Sequence, residues 1–170
     1  MNENQIAEIL RSCEVTENIF QGIYPIDSIP NKIAERNSGI VANTGPSWTS
    51  GYHWISAFRP FEGPTIFFDS YGSPPPPALL GYLGKNYIYN DIKLQGPFSS
   101  VCGQYCIYFM YCMAMGKSLR YTANSLDHND KGLNDFLVNN AVENIFHVNL
   151  QVYDKPYISS QISKALFSYS

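Results

Sequence analysis

Charge is scarce in this chain. Charged residues make up 15% of the 170, with 11 basic against 14 acidic, for a net charge of −3. The basic residues form no run, so a strong electrostatic grip on nucleic acid is excluded and DNA binding is expected to be weak or absent. No apolar stretch approaches the roughly 18 residues of a membrane-spanning helix, and no membrane partner is expected. The opening "MNENQIAEIL" lacks a basic region followed by a long apolar one, which reads against a secretory signal. Only four cysteines occur, Cys13, Cys102, Cys106 and Cys112. Without a secretory signal the expectation is reduced thiols rather than a disulfide framework. There is no internal repeat, and the one biased segment is the proline run Pro74 to Pro77.

What is present is apolar and aromatic. Residues of the apolar class make up 45% of the chain, with 13 Tyr and 10 Phe. That is a globular composition, and the length suits one domain over 1–170. "NENQIAEILRSC" places Ile6, Ile9 and Leu10 on one helical face. "GIVAN" (39–43), "YHWISAF" (52–58) and "TIFFDS" (65–70) read as strands, the last two joined as a hairpin through Gly63-Pro64. "ALLGYLGKN" after the prolines suggests a helix and "YIYNDIKL" a strand. A helix is expected from about Val101 to Met115, stopped at Gly116 and capped by Ser99 or Ser100. Another covers "GLNDFLVNNAVENIF", with Leu133, Phe136, Leu137 and Ile145 as candidate core positions. Strands cluster centrally and helices flank them. The expected class is therefore α+β, a single domain with a central mixed β-sheet.

The chemistry concentrates in "QGPFSSVCGQYC" (95–106), where a polar loop runs into a buried helix. Cys102 sits where that helix begins, and a helix N-terminus lowers a thiol pKa. Gly103 beside it allows close approach of another backbone or a substrate. Three histidines are available as a base: His53, His128 and His147. His53 on one expected strand and Asp69 at the end of the next would meet if the strands pair. The carboxylate would then orient the imidazole and stabilise its charged form. The Gln95 amide and the Cys102 backbone N–H are candidate donors to a developing oxyanion. Chain order is thus His, Asp, Gln, Cys. Each residue has a plainer reading: Cys102, like Cys106 and Cys112, as core filler, His53 as a structural strand residue, Asp69 as a turn residue. A metal site on Cys102 and Cys106 lacks a second Cys/His pair at zinc spacing, so no metal is expected. His128 and His147 lie too near Cys102 in sequence for a papain-like order.

Taken together, "VANTGPSWTSGYHW", "FFDSYG" and "LQGPFSSVCGQYC" resemble the adenovirus protease (adenain) family of cysteine endopeptidases. The clan also holds the SUMO-deconjugating proteases. "CEVTENIFQGIYPID" and "LDHNDKGLND" extend the resemblance over about residues 7 to 145. It implies Cys102 as nucleophile, His53 as general base and acid, Asp69 as orienter and Gln95 in the oxyanion hole. Trp54 would pack on the edge of the catalytic ring. A narrow channel edged by Gly51, Tyr52, Trp54 and Gly103 would bind substrate and admit small residues. The implied substrates are viral precursor polypeptides, or other proteins, cut at Gly-Gly-type sites during virion maturation. The implied location is the host nucleus or cytoplasm and the virion.

Three features depart from the family. The acid is Asp where adenovirus enzymes commonly have Glu. Residues 78–94 hold no cysteine for a disulfide-tethered activator, and the chain is acidic. No cofactor is therefore expected to be required, which leaves room for a non-covalent activating peptide. An isopeptidase acting on ubiquitin-like proteins, and a non-catalytic binding module, are the alternatives on the same scaffold.

Overall fold

The computed structural model describes residues 1–49 and 52–150. A five-stranded sheet runs in sequence order: β1 (Phe20–Pro25), β2 (Ser38–Asn43), β3 (Trp54–Arg59), β4 (Thr65–Phe68) and β5 (Tyr87–Tyr89). The outer pairs β1–β2 and β4–β5 are parallel, while β2–β3 and β3–β4 are antiparallel, so the sheet is mixed. The α+β expectation holds.

Strand periodicity sorts the apolar residues onto two faces. Val41, Phe58, Ile66 and Phe68 pack with the helices α1 (Glu3–Arg11), α4 (Cys102–Ala114) and α6 (Lys131–Phe146). Ile40, Ala42, Ile55, Ala57 and Phe67 face Leu79, Tyr82 and Leu83, the last two on the short helix α3 (Leu80–Leu83). A sheet covered on both sides explains why consecutive residues of β2 and β3, and not alternate ones, are buried. α4 is buried along nearly its whole length, including Tyr105, Ile107, Phe109 and Met110, and its Phe109 ring stacks on Phe68 of β4 at 4.9 Å. α1 buries Ile6, Ile9 and Leu10, as its spacing predicts, and a reciprocal Asn2–Gln5 capping box starts it.

Several expectations need correction. β1 breaks the alternation at Gly22, where the β1–β2 register shifts, and it escapes a pattern reading. So do the short helices α2 (Glu14–Glu17) and α5 (Leu119–Asn124). The segment after the prolines forms one 3₁₀ turn, Pro77–Leu79, and the single α turn of α3. α6 spans the expected residues but turns a different face inward. Leu133, Phe136 and Leu137 are 42%, 51% and 40% exposed, whereas Asn134, Val138, Asn139, Val142 and Phe146 are buried. Hydrogen bonds decide this: Asn134 Nδ2 donates to the carbonyls of Leu94 and Asp127, and its Oδ1 accepts the Asp127 N–H.

The turn after β4 depends on Gly72. Its N–H closes onto the Asp69 carbonyl at 2.8 Å, and its φ is +70°, with a Cβ there 2.7 Å from the Ile92 backbone. Gly72→Ala would add both a left-handed strain and a backbone clash. The expected cost is at least about 1–2 kcal/mol, a fall in Tm of several degrees by thermal denaturation. An unchanged Tm would mean that the 69–72 turn and the 90–94 segment do not approach as described.

Candidate active site

The hairpin brings the first two groups together. β3 starts at Trp54 and β4 ends at Phe68, with Ser56 opposite Phe68 in antiparallel register. Residues just before β3 and just after β4 therefore share one end of the sheet. His53 precedes β3 rather than lying on it, and Asp69 follows β4. The His53 Nε2 lies 2.7 Å from Asp69 Oδ1, which assigns Nε2–H as the donor and turns Nδ1 toward the thiol.

Asp69 is buried and held from several sides. Its Oδ1 also accepts the Tyr71 N–H at 2.8 Å. Asn90, just past β5, pins its backbone, with Oδ1 accepting the Asp69 N–H at 3.0 Å and Nδ2 donating to the Asp69 carbonyl at 2.6 Å. On the imidazole lies the Tyr71 ring, centroid to centroid 4.8 Å and tilted by 32°. The resemblance assigns ring packing to Trp54. In the structure the Trp54 indole N–H donates to the Met1 carbonyl at 3.2 Å, and its backbone reaches the thiol.

Cys102 opens α4. Val101 occupies the N-cap and no side chain caps the helix, so neither Ser99 nor Ser100 takes the expected role. Burial raises the Cys102 thiol pKa. The His53 hydrogen bond, the Trp54 backbone contact and the imidazolium charge lower it by more, and the net direction is down. For His53 burial opposes the charged form, but hydrogen bonds and charge from Asp69 and Cys102 carry the pKa up from 6.5 to about 9. Thiolate and imidazolium thus favour one another. Cys106, one turn on, is fully buried and pushed well up by desolvation, and Cys112 is also raised by burial.

Gln95 is fully buried. Its Oε1 accepts the Ser70 hydroxyl at 2.6 Å and its Nε2 donates to the Ser99 carbonyl at 2.9 Å, which fixes the amide orientation. Backbone bonds from Leu94 and Gln95 to the Ser70 carbonyl tie this loop to the turn that carries Asp69.

The expected substrate channel fares differently. Tyr52 is largely exposed beside His53, with its ring against Gly45. Gly51 lies outside the described residues. Gly103 is buried against α1: a Cβ there would stand 3.1 Å from Ile6 Cδ1 and 3.4 Å from Met1 Cβ. Its smallness serves helix packing rather than a channel edge. Among the described residues no group of three His, Cys, Asp or Glu side chains is arranged to hold a metal. No described helix is long and apolar enough to cross a membrane. Tyr71, Ser70 and Asn90 join the site without being singled out by sequence. "DSYG" offered the only signal, an aromatic two residues after the acid.

No family model matches the chain, and no curated protein matches it. One solved structure with partial likeness is the crystal structure of the selenomethionine form of the ASFV pS273R protease. It is 19% identical with a TM-score of 0.45, over 59% of this chain and 42% of that one. The chain thus spans less than half the length of that protease.

Two pH effects follow from the site's charges. Alkylation of Cys102 by iodoacetamide should already be fast below pH 9, the ordinary thiol value, and should precede alkylation of Cys106 and Cys112 on peptide mapping. Because the His53 pKa rises on folding from 6.5 to about 9, its stabilising contribution is complete below about pH 6.5 and is lost as pH climbs through about 9. The Tm difference between wild type and His53→Ala should therefore shrink across that window. A constant difference, or Cys106 labelled first, would contradict the assigned charges.

Proposed function

We propose that the protein is a cysteine endopeptidase, with Cys102 as nucleophile, His53 as base and acid, Asp69 as orienter and Gln95 as an oxyanion donor. The observation that carries the reading is the placing of His53 between buried Asp69, 2.7 Å from its Nε2, and Cys102 at the start of α4; the directions of shift, thiol down and imidazole up, agree with it. A buried structural cysteine moves the other way, as Cys106 does.

The chemistry proceeds in two halves. The Cys102 thiolate attacks the peptide carbonyl carbon, and the C=O electron pair moves onto oxygen. An amide group carries two hydrogens, of which Ser99 takes one from Gln95; the second would meet the new oxyanion, together with the Cys102 backbone N–H. The oxyanion collapses, the C–N bond breaks, and His53 gives its proton to the leaving amine. A thioester remains. Water then attacks it with His53 accepting a proton, the C–S bond breaks, and the thiolate is restored with release of a carboxylic acid. Asp69 holds the ring so that Nδ1 faces the sulfur in both halves.

The substrates in this reading are polypeptides cut at Gly-Gly or Gly-X-Gly sites, viral precursors among them, on the strength of the sequence resemblance. No DNA and no covalent activator are required, consistent with the acidic chain and the cysteine-free segment 78–94. A non-covalent peptide would add as a strand on either outer strand, β1 or β5.

The test is turnover of a Gly-Gly fluorogenic peptide in reducing buffer, with and without duplex DNA. Cys102→Ala and His53→Ala should abolish it. Asp69→Asn should reduce it less. Gln95→Ala should lower kcat by about 100- to 1000-fold with KM nearly unchanged. Cys106→Ala should keep most activity at a stability cost of about 1 kcal/mol. Full turnover by Cys102→Ala, or efficient cleavage after Arg or Phe, would refute the mechanism or the specificity respectively.

A further inference from the structure

The loop that carries Gln95 is held from outside the catalytic set. Asp135, on the first turns of α6, points its carboxylate at it. Both Asp135 oxygens stand 3.3 Å from the Gly96 N–H, the amide that follows Gln95. The Tyr105 hydroxyl lies 3.0 Å from Asp135 Oδ1 and 3.1 Å from the Leu94 carbonyl. The Ser99 hydroxyl donates to the Gly96 carbonyl at 3.2 Å and lies close to the carboxylate. Neighbouring Asn134 donates to that same Leu94 carbonyl at 3.0 Å. A Cβ on Gly96 would fall 2.7 Å from Asp135 Oδ2, so only glycine admits the acid this close.

These contacts converge on three things: the residues on either side of Gln95, the residue whose carbonyl receives the Gln95 amide, and the helix that Cys102 opens. Tyr105 is on α4, just under one turn after Cys102. One carboxylate therefore sets the spacing between the loop that offers the amide and the helix that offers the thiol. We propose that Asp135 is a positioning residue of the oxyanion site, acting on catalysis through the 94–99 loop and Tyr105. This deepens the Cys102 endopeptidase reading and rests on it.

The charge is costly where it lies. Burial pushes the Asp135 carboxyl up, and the hydrogen-bonding groups around it offset only part of that. A neutral amide of the same shape avoids the penalty for burying an ion. It also turns one of the two acceptor oxygens facing these donors into a donor. Asp135→Asn should thus keep the fold while misplacing the loop, separating stability from activity.

The experiment uses the full chain as wild type, Asp135→Asn and Tyr105→Phe. It measures kcat and KM on the Gly-Gly peptide, inhibition by the matching peptide aldehyde, iodoacetamide alkylation of Cys102, and Tm. The aldehyde forms a hemithioacetal whose oxygen occupies the oxyanion position, so its affinity follows transition-state binding. Alkylation needs the thiolate but no oxyanion donor. For Asp135→Asn the expected result is a fall in kcat of about 10- to 100-fold. Aldehyde affinity should weaken in proportion, while KM, the alkylation rate and Tm stay near wild type. Tyr105→Phe should show a smaller fall of the same kind. Unchanged kcat in both variants, or a joint fall of kcat, alkylation rate and Tm, would reduce Asp135 to a structural staple and overturn the proposal. Absence of Cys102-dependent turnover in the wild type would instead overturn the endopeptidase reading, and this proposal with it.

Discussion

The contact between His53 Nε2 and Asp69 Oδ1 at 2.7 Å is the point at which fold and chemistry meet. It spans the open end of the β3–β4 hairpin, so its length is set by strand register rather than by either side chain. A slip of one residue would reverse the face of every residue in one strand. Were β4 to slip, Ile66 and Phe68 would lose their partners on the helical side. The apolar core thereby guards the geometry of the ion pair. The surroundings reinforce it: Asn90 fixes the Asp69 backbone, Gly72 allows the turn, and Tyr71 limits the tilt of the imidazole.

Cys102 and Cys106 show how strongly position governs one functional group. They lie on the same helix, four residues apart, and both are buried. One has an imidazole and a backbone N–H within reach, and its pKa falls. The other is desolvated further and its pKa rises well above the ordinary value. Desolvation acts on both. What differs is whether a cationic partner for the negative charge is already in place when water is removed, which is the condition that lets a buried anion persist.

Much of this arrangement is legible in the residues. Ile6, Ile9 and Leu10 mark the face of α1, Gly63-Pro64 marks the hairpin, and the apolar run after Cys102 marks the central helix. The order His53, Asp69, Gln95, Cys102 becomes informative because the hairpin converts it into adjacency. What escapes reading depends on distant partners. Asn90 meets Asp69 across 21 residues, Ser70 meets Gln95 across 25, and Asp135 meets Gly96 across 39. No periodicity signals such pairs. The face of α6 is hidden for the same reason: Asn134 is drawn inward by the Leu94 and Asp127 carbonyls, which leaves the more apolar Leu133 and Phe136 outside. Gly103 misleads differently, since a glycine beside a nucleophile suggests room for a substrate, and here the room is filled by Ile6 and Met1.

The lowered thiol pKa of Cys102 is also a conditional property of the chain. In an unfolded chain Cys102 is an ordinary cysteine, with neither imidazole nor ordered amide beside it. Its lowered pKa arises only when the end of the hairpin and the start of α4 have come together. Segments separated by about fifty residues must close before that happens, a step that pays its loop entropy in full. The freshly made chain is therefore chemically quiet, and the sulfur reports from within on the moment at which the sheet and its central helix have joined.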